Sequence, residues 1–153
     1  MSDRSRIVQA KAGFRWTGTA VAAYKTETAS HSDITRQTLL GDGPEKARSR
    51  SVLRYFEIEP GGHSSLERHL HEHIVVVLRG QGHVILGDRL EPIGLHDCVY
   101  VAPGTIHQFH ATAAEPLGFL CLVDRLRDRP ARPNPIEIDE MSRNPAIAKL
   151  LKT

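Results

Sequence analysis

Apolar and polar positions alternate along SVLRYFEIEPGG (51–62), and the alternation stops at Pro60-Gly61-Gly62, which predicts a strand ended by a turn. HIVVVLRGQG (73–82) is dense in β-branched residues and stops at Gly80-x-Gly82. HVILGDR (83–89) follows at once, so these two runs are expected to form a hairpin. CVYVAPG (98–104), HQFHA (107–111) and PLGFLCLV (116–123) continue the series. Six or more strands a few residues apart predict an all-β sandwich or barrel rather than an open parallel sheet.

The flanks carry weaker patterns. Two further strands are expected around Phe14 to Trp16 and Ile34 to Leu40, and GDGPEKARSRS (41–51) is expected to be a loop. RLRDRPARPNP (125–135) holds three prolines and four arginines with few apolar residues, the composition of an extended surface strap. Asn144-Pro145 is an N-cap and first-turn pair, which makes PAIAKLLK a short terminal helix. The chain therefore divides into an N-terminal arm (1–50), a barrel core (51–124) and a strap with terminal helix (125–153). The arm is too sparse in apolar residues to fold alone, so it is expected to add strands to the barrel or to a neighbouring subunit, in a homodimer.

Charge and composition exclude several partners. The chain has 153 residues, enough for one domain with one core. Lys and Arg total 20 against 18 Asp and Glu, a formal +2 with no basic patch, which gives no electrostatic reason for nucleic acid or an anionic membrane. No apolar run has the length of a signal peptide or a spanning helix, so a cytoplasmic protein is expected. The two cysteines, Cys98 and Cys121, each sit in an apolar strand-like run and are expected to be reduced, buried thiols.

Histidine is the outlier. Of 9 histidines, His63, His69, His71, His73 and His83 fall between residues 63 and 83. A regular strand would point Glu67, His69, His71 and His73 to one face. A solvated edge strand is a competing reading, but IVVVL continues without a break and draws the segment inward. Buried imidazoles and a carboxylate are costly unless they bind something. Imidazoles with one carboxylate suit Fe, Mn, Co, Ni, Cu or Zn, whereas Ca and Mg favour all-oxygen sites.

PGGHSSLERHLHEHIVVVLRGQG and HDCVYVAPGTIHQF together resemble the two motifs of the cupin superfamily, single-domain type. The first motif of that pattern has a glycine, then H-x-H-x3-E, six residues and a glycine. The second runs G-x5-P-x-G-x2-H. The resemblance spans residues 60–109 and implies an all-β, double-stranded β-helix (jelly-roll) barrel with a short C-terminal helix and one divalent transition metal per chain. Anchored on Gly80, it places His73 at the usual glutamate position, His69 at the second histidine and Glu67 at the first. His107 matches the histidine of the second motif. The implied metal set is Glu67, His69, His73 and His107, with carboxylate and imidazole exchanged relative to the common order. A second register pairs His69 with His71, and whether His71 replaces Glu67 or His73 stays open. His71, His83 and Gln108 are candidates for the second shell or pocket, His110 for the rim, and Phe109, Phe119 and Tyr100 for the core.

Three imidazoles and one carboxylate leave a divalent centre with a net charge of about +1, which attracts anionic or chelating oxygen donors. Four protein ligands leave open positions on a six-coordinate ion. The first reading is an oxygenase of a small carboxylate- or enol-type substrate. The alternatives are a redox-neutral isomerase or lyase, and a small-molecule binding module without turnover.

Overall fold

In the computed structural model, which describes residues 5–24 and 32–153, antiparallel pairing organises nearly every apolar run. The elements are β1 (Ala10–Lys11), β2 (Arg15–Trp16), β3 (Ala22–Ala23), β4 (Ser32–Leu40), β5 (Ser51–His63), β6 (His73–Arg79), β7 (Gly82–Leu86), β8 (Arg89–Ile93), β9 (Cys98–Val101), β10 (His107–His110), β11 (Leu117–Asp124), α1 (Pro135–Ser142) and α2 (Pro145–Leu150). Hydrogen bonding orders the main sheet β8-β7-β10-β5-β11-β6-β9, with β4 added on β5 and β3 on β4. The sheet curls into a half-barrel of the double-stranded β-helix kind. No helix among the described residues is long and apolar enough to cross a membrane.

Alternation along β5 sends Val52, Phe56 and Ile58 inward, where they meet Val75 and Val77 of β6, Val99 and Val101 of β9, and Phe119 and Cys121 of β11. Tyr55 and Glu57 point the other way. Tyr55 donates to a Glu57 carboxylate oxygen at 2.8 Å and packs under Phe14 and Trp16 of the N-terminal arm. A second apolar cluster joins Ile85 and Leu66 to Met141 of α1 and Ile147 of α2, so the C-terminal helices cover the outer wall of the barrel.

Several expectations need correction. The runs 73–82 and 83–89 do not form a hairpin: β6 pairs with β9 and β11, whereas β7 pairs with β8 and β10. Gly80 explains the crossing. It adopts φ +69°, and a Cβ there would stand 2.2 Å from the Pro116 carbonyl oxygen, so the chain turns past β11 into the other half of the sheet. The hairpin forms instead between β7 and β8, through Gly87, and the strand β8 escaped the sequence reading because Pro92 sits in it.

A helix that the sequence reading did not give follows the strap. Helix α1 begins at Pro135, capped by Asn134, whose side chain accepts from the Glu137 amide while Glu137 accepts from the Asn134 amide. Tyr100 is 57% exposed rather than core, and Cys98 is exposed while Cys121 is buried. Both exceptions lie on β9, whose outer face no described element covers, so its alternate residues are exposed.

Candidate metal centre

The row from Glu67 to His73 is not one strand. Glu67 and Arg68 make isolated bridges to His107 and Ala131, residues 69–72 form a bend, and β6 begins only at His73. The bend brings side chains together that a straight strand would have strung along one face.

The Asp128 carboxylate in the strap holds this bend. It accepts from the Leu70 amide at 2.8 Å, the His71 amide at 3.0 Å and His71 Nδ1 at 2.7 Å. Those amide bonds, Leu70 first, keep Asp128 well below the usual carboxylate range. Arg68 anchors the same segment by pairing with Glu137 of α1 and by backbone bonds to Ala131.

His69, His73 and His107 each offer one ring nitrogen, and these three atoms lie within 4.8 Å of one another. His69 Nδ1 is 2.6 Å from the His71 carbonyl oxygen and His107 Nδ1 is 2.9 Å from that of Thr105. A carbonyl only accepts, so both Nδ1 atoms carry a proton, which makes Nε2 the nitrogen that each neutral ring can offer to a metal. His69 Nε2 is buried and has no hydrogen-bond partner. An orphaned lone pair beside two more imidazoles suits a borderline transition metal, and nothing among the described residues satisfies it.

Burial first, then the charges of His107 and His71, pushes His69 down to about 4. Burial, followed by His107, His69 and Arg54, holds His73 far below the ordinary imidazole value. Both rings are therefore neutral at pH 7, the state that binds metal.

Glu67 lines the same cavity as His73 and His107, and its charge acts on His69, but its carboxylate is not among the three atoms that converge. His71 stacks on His69 with ring centroids 3.7 Å apart, and its Nε2 lies 3.3 Å from His73 Nε2. Held by Asp128 through Nδ1, His71 packs against His69 and His73 and orients them, and it is not among the three residues whose ring nitrogens converge.

Gln108 and His83 are corrected: neither is in this pocket. Gln108 donates to the Ser64 and Lys152 carbonyl oxygens and accepts from the Lys152 amide. His83 meets Thr112 Oγ1 at 2.7 Å and pairs in register with His110. His110 is buried against Gln108 rather than placed at a rim. All three share the outward face of β7 and β10, and Gln108 and His110 are buried because the C-terminal segment covers that face.

Sequence reasoning missed four residues of the site: Tyr24, Arg54 and Cys121, which line the cavity, and Asp128, which positions the bend. Arg54 carried a signal. It falls between Val52 and Phe56 at an inward position of an alternating strand.

A family model described as "Cupin domain" matches residues 54–123. A curated protein of Rhodospirillum rubrum, 1-methylthio-D-xylulose 5-phosphate methylsulfurylase, is 41% identical over 140 residues, covering 90% of this chain and 86% of its own length. Among solved structures, a cupin 2 conserved barrel domain protein from Rhodopseudomonas palustris is similar at 38% identity and TM-score 0.88, covering 97% of this chain and 100% of its own. A cupin 2 domain-containing protein from Halorhodospira halophila is 45% identical with TM-score 0.76, covering 99% of both chains.

Proposed function

The chain belongs to the cupin family, and from that premise we propose that it is a metal-dependent enzyme acting on a small phosphorylated ketose that carries a thioether, the substrate class in the name of its R. rubrum relative. One observation carries the reading: His69, whose buried Nε2 is orphaned, brings a ring nitrogen within 4.8 Å of those of His73 and His107, and the latter two line the cavity. A bound divalent metal would supply Lewis-acid polarisation of a ketose carbonyl and its neighbouring hydroxyl.

The remaining work falls to the chain. His69, His73 and His107 would hold the ion, and Asp128 fixes the bend that aims two of them. Phe56, Phe109 and Phe119 line the cavity and exclude water. Glu67 supports one of two roles, completing the ligand set or taking a proton from the carbon beside the carbonyl. Glu67→Gln separates them, because a base is lost without loss of metal.

The direct test supplies protein loaded with Mn, Fe, Co, Ni, Cu or Zn in turn with 1-methylthio-D-xylulose 5-phosphate. Proton NMR follows the S-methyl signal, in the presence and absence of added thiol. Metal-dependent consumption is expected, and an unchanged signal with all six metals refutes the proposal.

A second reading, the oxygenase, is favoured by the phenylalanine lining beside three imidazoles, a setting that admits dioxygen. An oxygen electrode decides between them, since an oxygenase consumes oxygen in step with product.

The proposal includes a homodimer. Leu70, Ile74 and Leu126 are exposed around one surface groove, with Tyr100 paired to Ile74 on the neighbouring strand, an apolar patch suited to self-association. Sedimentation showing a monomer at micromolar concentration would remove it.

A further inference from the structure

Arg54 is the least accessible charged side chain of the cavity, at 4% exposure, and among the described residues it has no carboxylate partner. Other arginines are paired: Arg6 with Glu45, Arg68 with Glu137, Arg79 with Glu57 and Arg89 with Glu91. What Arg54 has instead is weak. One Nη lies 3.4 Å from Cys121 Sγ, and the guanidinium sits over the Phe56 ring at 4.8 Å. Burial raises the Cys121 thiol, so it stays neutral and brings no counter-charge. Arg54 Nε is buried and has no hydrogen-bond partner among the described residues. A guanidinium cannot shed its proton to escape such a place, so an unneutralised cation here is costly until an anion arrives.

Two more arginines lie near Tyr24, which lines the cavity. Tyr24 packs edge-on against Phe56 with centroids 4.9 Å apart, and the Arg36 guanidinium lies 5.6 Å from the Tyr24 centroid. Arg127, just beyond β11, feels the charges of both Arg54 and Arg36. Among the described residues, Asp42 feels the charges of Arg36 and Arg127, but it is exposed and already paired with Lys46 at 2.9 Å. Three like charges around one aromatic pair repel one another unless something negative sits among them.

We propose that Arg54, with Arg36 and Arg127 beside it, forms the phosphate-recognition site for the substrate whose oxygen donors face His69, His73 and His107. Planar guanidinium forks match phosphate oxygens two at a time, and a dianion answers more than one of them. Arg54 lines the same cavity as His73 and His107. A ketose phosphate that presents its carbonyl end to the imidazoles and its phosphoryl end to the arginines has to widen this cavity, whose volume is about 30 Å³. This inference rests on the sugar phosphate reading above and assigns the groups that select it.

The test is binding to the full, metal-loaded chain, followed by calorimetry, with D-xylulose 5-phosphate, D-xylulose and inorganic phosphate as probes. In the parent protein the phosphorylated sugar should bind about 100-fold tighter than the free sugar, and inorganic phosphate should compete with it. Arg54→Met should cut that preference to about threefold or less with metal content unchanged, and Arg54→Lys, which keeps the charge and loses the fork, should cut it about tenfold. Without anions, Arg54→Met should unfold at the same temperature as the parent or higher, because an uncompensated cation has been replaced by an apolar chain. A purely structural arginine gives a lower unfolding temperature instead.

Two results overturn the proposal: no phosphate preference in the parent, or a preference that survives in both variants. Should Arg54→Met fail to fold, Arg54→Lys and Arg36→Ala decide. Binding that depends on Arg54 without turnover of the thioether sugar refutes the reaction and keeps the anion site. Turnover without that dependence does the reverse.

Discussion

Replacing His69 by alanine separates the cost of an empty histidine cluster from the gain of a filled one. In the metal-free chain the imidazole makes one hydrogen bond, Nδ1 to the His71 carbonyl at 2.6 Å, and stacks on His71 and His73 at 3.7 and 4.3 Å. The bond is worth about 1 kcal/mol and the stacking a similar amount. Against them stands the buried, unpartnered Nε2, which costs about 1–3 kcal/mol. The two sides nearly cancel, so metal-free His69→Ala should match the parent within about 1 kcal/mol at pH 7.

With metal the balance changes. An ion held at 1,000 times its dissociation constant stabilises the parent by about 4 kcal/mol, and a variant missing one of three imidazoles should gain almost none of it. Urea unfolding of chelator-treated and metal-supplemented protein, with elemental analysis of both, reads the two numbers. One ion per chain in purified His69→Ala, or a metal-free loss above about 3 kcal/mol, refutes the reasoning.

Three further outcomes follow from the same geometry. Asp128→Asn weakens the acceptor of Leu70 and His71, and metal affinity measured by chelator competition should fall about 10- to 100-fold, with a change below threefold arguing against the strap as organiser of the bend. Gly80→Ala forces a Cβ towards the Pro116 carbonyl at positive φ and should cost roughly 2–4 kcal/mol by urea titration, so a loss under about 0.5 would contradict the crossing described. Burial first, then His63, Lys152 and His83, holds His110 down at about 4, whereas the unfolded chain takes up that proton near 6.5. Acid therefore favours unfolding between those values: stability present above pH 6.5 declines by about 3 kcal/mol towards pH 4, and His110→Gln should flatten that slope. Equal slopes for parent and variant would place the proton uptake elsewhere.

Strand identities were legible because each strand buries one face against a common core, as in the inward set Val52, Phe56 and Ile58. Pairing was not, since Gly80 is a turn signal that states a bend and not its destination, and β6 finds β9 and β11 rather than its sequence neighbour. The histidine spacing announced a site, yet a period of two described it poorly, because the ligand atoms converge through a bend held by Asp128 from 57 residues away. No local pattern at Asp128 could show that contact. Gln108 and His83 went astray for a related reason: the C-terminal helices bury the outer wall, so β10 has two covered faces and burial alone cannot say which is the cavity.

Polar residues at inward positions are the more dependable signal. His107 and Arg54 both stand where apolar alternation demands a hydrophobe, and both line the cavity. A barrel carries such residues at a cost in stability, and the cost is recovered only when something of opposite or complementary character occupies the space between them. Electron pairs at His69, His73 and His107 call for a cation, and the proton-rich fork of Arg54 calls for an anion. A ligand that is both metal-chelating and phosphorylated meets the two demands at once, which makes the pairing of these sites a stronger constraint on substrate class than either alone.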